Sequence, residues 1–113
     1  MKPWIGVDLD GTLAQYAGWE GPTIIGDPVP LMCVRVLRWR AEGKIVKILT
    51  ARVSEPDLGV RAQIIYAIQE WCKEHLGEVL PITCEKDFGM TELWDDRAVQ
   101  VIPNTGRRVD GQA

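Results

Sequence analysis

Apolar residues run almost unbroken from Trp4 through Ile5, Val7 and Leu9, the pattern of a strand buried on both faces. Glycine and proline punctuate residues 13–27, which carry Tyr16, Gly18, Trp19, Gly21 and Pro22 and read as a flap loop. Asp27 has the character of a helix cap, with Pro28 in the first helical position. Leu31, Val34 and Leu37, joined by Val36, recur at helical spacing until Gly43 stops the helix. Residues 44–49 (KIVKIL) read as a second strand. Ser54, Pro56 and Gly59 then break the chain before its longest periodic segment, a helix over 60–76. There Ile64, Ile65, Ile68, Trp71, Cys72 and Leu76 make one face, Gln63, Glu70, Lys73 and Glu74 the other, and Gly77 ends it. Three short strands are expected after it: 79–83, marked as an edge by Pro81, 92–94, and 98–102. Residues 104–113 offer little to pack and read as a flexible tail.

Strands alternating with helices through short connections imply parallel pairing and right-handed crossovers. The expectation is one α/β domain over residues 1–103 with a mainly parallel, five-stranded sheet. A chain of 113 residues can bury one core but not two. Its formal net charge of -3 argues against holding nucleic acid by bulk electrostatics. No apolar run is long enough to span a bilayer, and Met1-Lys2-Pro3-Trp4 leads into a strand instead of a secretion signal. Cys33, Cys72 and Cys84 are odd in number and lack metal-site spacing, which fits reduced thiols in the cytoplasm. Cys33 and Cys72 fall in helical patterns, as small packing residues do.

The candidate chemistry lies at strand ends. Asp8 and Asp10 sit one residue apart where the first strand becomes a loop, with Gly11 directly after them. Asp-Gly between apolar runs is equally a hairpin-turn sequence. Thr50 ends the second strand, Lys86 follows the third, and Asp95 and Asp96 end the fourth. In a parallel sheet these ends share one edge, so the groups converge there. Clustered carboxylates call for a divalent cation, and all-oxygen ligation suits Mg2+ shared with substrate phosphate. A hydroxyl and an ammonium beside them suit the remaining phosphoryl oxygens.

Taken in order, Asp8-Leu9-Asp10-Gly11-Thr12, Thr50, Lys86 and Asp95-Asp96 resemble the four motifs of the haloacid dehalogenase-like superfamily of phosphohydrolases. The resemblance spans residues 4–102. It implies a three-layer, Rossmann-like domain that cleaves phosphate monoesters, with Asp8 as nucleophile forming an aspartyl phosphate and Asp10 as general acid/base. It further implies that Gly11, Thr50 and Lys86 bind phosphate and that Asp8, Asp95, Asp96 and, through its backbone carbonyl, Asp10 hold magnesium. The dehalogenases of that family lack the Asp10 acid, so ester hydrolysis is the implied reaction. Neither place where the family inserts a cap domain has enough residues here, which implies an open, capless site, of the kind that sometimes borrows a lid from a neighbouring subunit. Tyr16, Trp19 and Arg52 are candidate substrate contacts, and Arg97 adjoins the last motif. The substrate is expected to be a phosphorylated molecule, with nucleotides, sugar phosphates and phosphorylated nucleic-acid ends all open and the acidity of the chain mildly disfavouring the last.

Two other readings share these residues. A phosphoryl-accepting receiver domain also gathers acids, a Thr and a Lys, but its acidic pair comes first in the chain, whereas here Asp95-Asp96 comes last. A non-catalytic binding module would keep the fold without turnover.

Overall fold

Four strands and two helices make up the domain in the computed structural model, which describes residues 2–112. The chain forms β1 (Trp4–Val7), α1 (Pro30–Ala41), β2 (Ile45–Leu49), α2 (Leu58–Leu76), β3 (Ile82–Thr83) and β4 (Met90–Trp94). The sheet runs in the order β3-β2-β1-β4, and every neighbouring pair is parallel. The central position of β1 follows from its composition, since all four of its residues are buried.

The fifth strand expected at 98–102 does not form. Asp95 Oδ1 accepts hydrogen bonds from the backbone N–H groups of Arg97 (2.7 Å) and Ala98 (3.2 Å), turning the chain off the sheet edge. Residues 100–109 instead fold back on themselves, with Val101 bridged to Arg108 and Val109 N donating to Gln100 O. Part of the expected tail therefore lies in this turn. β3 is also shorter than expected, two residues after Pro81, although Thr50 N continues its pairing by donating to Thr83 O at 2.9 Å.

Ile5 and Val7 of β1, Val46 and Ile48 of β2, Met32, Cys33 and Val36 of α1, and Ile64, Ile68, Trp71, Cys72 and Leu76 of α2 share a single core. Both helices thus cover the same sheet face, as two right-handed crossovers in one direction require. Among the described residues no helix covers the other face, so the architecture has two layers in place of the three expected. On that open face Trp4 is enclosed by side chains: Lys47 Nζ lies 4.6 Å from its ring centre, and its indole N–H donates to Asp87 at 2.8 Å. The indole bond holds the Asp87 carboxyl below its ordinary range.

α2 matches its sequence pattern, capped by Asp57, which accepts from Val60 N at 2.9 Å, and closed by left-handed Gly77. α1 does not. It starts at Pro30, and Leu31, Val34 and Leu37 all face outward, Leu31 with 61% of its surface exposed. Two apolar stripes compete on this helix. Met32, Cys33 and Val36 turn inward because Val29 N is tied to Leu13 O and Trp39 packs on Trp94, ring centres 5.1 Å apart. No helix among the described residues is long and apolar enough to cross a membrane.

Candidate functional site

Where β1 ends, Asp8 N still donates to Trp94 O (2.9 Å), which sets Asp8 beside Asp95 at the end of β4. Asp8, Asp95 and Asp96 each bring a carboxylate oxygen within 4.8 Å of the others. Burial, then the charge of Asp95, push the Asp8 carboxyl up from 3.8 to about 7. Asp96 adds to the rise through a hydrogen bond and its charge, and the Leu9 backbone opposes it. The three oxygens suit a hard divalent cation. Thr12 Oγ1 approaches Asp96 at 3.4 Å, and Asp95 is fixed by its own turn. Gly11, in the left-handed region (φ 89°), passes so close to Asp96 that a Cβ there would collide with that carboxylate.

Asp10 stands apart from this cluster. Its two oxygens accept from Arg52 Nε (2.8 Å) and Nη2 (2.9 Å), so its side chain is not in the carboxylate triad that could hold a metal. Arg52 also donates to three flap carbonyls, Gly21 (3.1 Å) and Pro22 (2.9 Å) from Nη1 and Ile24 (2.8 Å) from Nη2. Its side chain is only 4% exposed, and Trp19 lies over it with ring centre 4.9 Å from the guanidinium carbon. All five donor hydrogens of a guanidinium are thereby used. The expected substrate contact at Arg52 is therefore corrected: the side chain binds the flap to Asp10.

The flap itself is closed at its base. Gln15 N donates to Asp27 O, Val29 N to Leu13 O, and the Trp71 indole to Gly26 O at 2.9 Å. Gly26 has no room for a side chain, because a Cβ there would meet Gln15 O. Sequence reasoning gave Arg52 no part in anchoring this loop. The available signal was the flap's run of glycine and proline carbonyls, which needs an external donor, and the adjacency of strand ends β1 and β2.

A cavity of about 590 Å³ gathers these groups, with Asp8, Asp10, Thr50, Asp95, Asp96 and Arg97 among its walls, and Tyr16 and Trp19 at its flap side. Thr50 is buried, and its Oγ1 accepts from Arg52 N (3.2 Å), which leaves its hydroxyl hydrogen for the cavity. Gly11 N, expected to face phosphate, donates instead to Ala14 O at 2.8 Å, so the glycine serves by making room for Asp96.

Lys86 is not brought to the site. After Thr83 the chain descends the uncovered sheet face to Asp87 and Gly89, which bond the side chain and backbone of Trp4 at the opposite end of β1. Lys86 is exposed and absent from the cavity wall. Arg97, adjoining Asp96, is the cation on that wall other than Arg52.

No protein-family model and no curated protein matches this chain. Among solved structures it is similar to a conserved protein from Bacteroides thetaiotaomicron at 23% sequence identity, with a TM-score of 0.58. The likeness covers 92% of this chain and 84% of that one. At that identity it speaks for a shared fold alone.

Proposed function

We propose that this chain is a magnesium-dependent phosphohydrolase of the haloacid dehalogenase-like superfamily, cleaving phosphate monoesters through an aspartyl phosphate on Asp8. One observation carries the reading: Asp8, Asp95 and Asp96 gather with Thr50 around one cavity, from the ends of three adjacent strands. Asp8, Asp95 and Asp96 would hold the ion, which when bound supplies the positive charge that both the carboxylates and the phosphoryl oxygens need.

The steps follow from the side chains. An Asp8 carboxylate oxygen attacks phosphorus and the bond from phosphorus to the leaving oxygen breaks. Asp10, which must first take up a solvent proton on an oxygen that now accepts from Arg52, gives that proton to the leaving oxygen. Asp10 then takes a proton from a water whose oxygen attacks phosphorus, and the acyl-phosphate bond breaks to restore the Asp8 carboxylate. Thr50 donates its hydroxyl hydrogen to a phosphoryl oxygen. Arg97 takes the charge-neutralising part that the resemblance gave to Lys86, because every donor of Arg52 is engaged. The free cysteines, two of them buried, accord with a reducing cytoplasm as the place of action.

The displacement of Lys86 favours a second reading, a phosphate-binding module without turnover. Release of inorganic phosphate from a panel of phosphate monoesters with magnesium separates the two. Turnover is expected, with a loss of roughly a thousandfold in Asp8→Asn and an unchanged circular dichroism spectrum. Retention of more than a tenth of the activity in Asp8→Asn would remove Asp8 as nucleophile.

A further inference from the structure

Two aromatic rings on the flap remain open to solvent at the mouth of the cavity. Tyr16 is 44% exposed and Trp19 61%, and both form part of the wall that also holds Asp8. Trp19 is already ordered: one face rests on the Arg52 guanidinium, itself immobilised by five hydrogen bonds. A ligand meeting this ring therefore does not have to order it. The cation behind the ring draws π density away from the free face. That weakens its attraction for the C–H groups of a sugar or for a second cation, and suits a flat, polarisable ring stacked with offset. Glu55 also lines the cavity and disfavours a leaving group carrying further negative charge. A cavity of about 590 Å³ exceeds what a phosphoryl group alone fills and lies within the range of small-molecule sites.

From these observations we infer that the substrate is a nucleoside monophosphate whose base stacks on Trp19, with Tyr16 as the second aromatic wall and a neutral nucleoside as leaving group. The inference rests on the phosphohydrolase reading for its phosphoryl end and on the flap for its base.

The test compares adenosine 5′-monophosphate with ribose 5-phosphate, which keeps the sugar and phosphate but has no base, using the full chain with magnesium. A nucleotide preference in kcat/KM of roughly 5- to 100-fold is expected from one stacked base. Trp19→Phe should keep most of this ratio and Trp19→Leu should bring it near unity, and using a ratio cancels any general loss of activity from flap disturbance. Adenosine alone, lacking phosphate, should shift the Trp19 indole N–H signal in a 15N-labelled sample. Equal hydrolysis of the two esters, or an unchanged ratio in Trp19→Leu, overturns the base site and leaves the phosphatase standing. Adenosine binding at Trp19 with no hydrolysis of any ester supports the base site and removes the phosphatase. The absence of both adenosine binding and nucleotide preference removes the base site outright.

Discussion

Replacing Arg52 by alanine strips five donors from a place where no water can easily substitute. The guanidinium is 4% exposed, Asp10 is 22% exposed, and the carbonyls of Gly21, Pro22 and Ile24 lose their partner together. Removing one member of a buried ion pair costs about 3–5 kcal/mol, and the partial exposure of Asp10 sets the expected loss near about 3 kcal/mol. A domain of this size is stable by only about 5–15 kcal/mol, so the loss is a large share of the total. Arg52→Lys keeps the charge but offers three donors from a single point, and should lose about 2 kcal/mol. Urea unfolding followed by far-UV circular dichroism measures both, and a cycle with Asp10→Asn should give a coupling of at least about 1 kcal/mol. Limited proteolysis should cut residues 16–26 faster in Arg52→Ala than in the unaltered chain. An Arg52→Ala protein within about 0.5 kcal/mol of the original, with the flap equally protected, would refute the claim that this residue fastens the loop.

Three further outcomes follow from the site. With magnesium chelated, native Asp8 keeps a proton up to about pH 7 that the unfolded chain releases near 3.8, so its contribution makes stability fall as pH rises through that window. The shift corresponds to at most about 4 kcal/mol, reduced to about 2 kcal/mol by solvent screening at a half-buried, coupled site; the difference between the unaltered chain and Asp8→Asn across pH 4.5–7.5 isolates it, and a difference that grows with pH in the other direction would contradict it. Lys86→Ala should leave turnover within about twofold while Arg97→Ala raises KM by about tenfold, as for a lost charge-assisted contact of about 1.4 kcal/mol; the reverse pattern would return Lys86 to the site. Gly11→Ala should push Asp96 aside and lower magnesium affinity by about tenfold in calorimetric titration, on the scale of a disturbed supporting contact, with about 1 kcal/mol of backbone strain besides.

How much of this was legible depended on whether an element's pattern had a competitor. β1 and α2 had none: one is apolar throughout, and the other has a single wide apolar face, an Asp cap and a terminal glycine. The strand ends carrying Asp8, Thr50 and Asp95 could be placed from there. α1 holds two stripes of similar hydrophobicity, and only long-range contacts, Val29 with Leu13 and Trp39 with Trp94, decide which one is buried. At 98–102 the alternation of Val99 and Val101 looked like a strand, but a side-chain oxygen of Asp95 captured the donors that would have begun it. Lys86 was assigned by its position after β3, and nothing local reveals that the next residue is drawn to Trp4 at the far end of the sheet. The Arg52 contacts join residues 28 to 42 positions apart, beyond any local pattern.

The pairing of Asp10 with Arg52 makes one carboxylate answer to two masters. Whatever displaces the Asp10 carboxylate loosens its hold on Arg52, and with it the grip on Gly21, Pro22 and Ile24. By thermodynamic reciprocity, a ligand that presses the flap down must also act back on the Asp10–Arg52 pair. Any substitution at Arg52 therefore acts on the flap and on the Asp10 carboxylate at once.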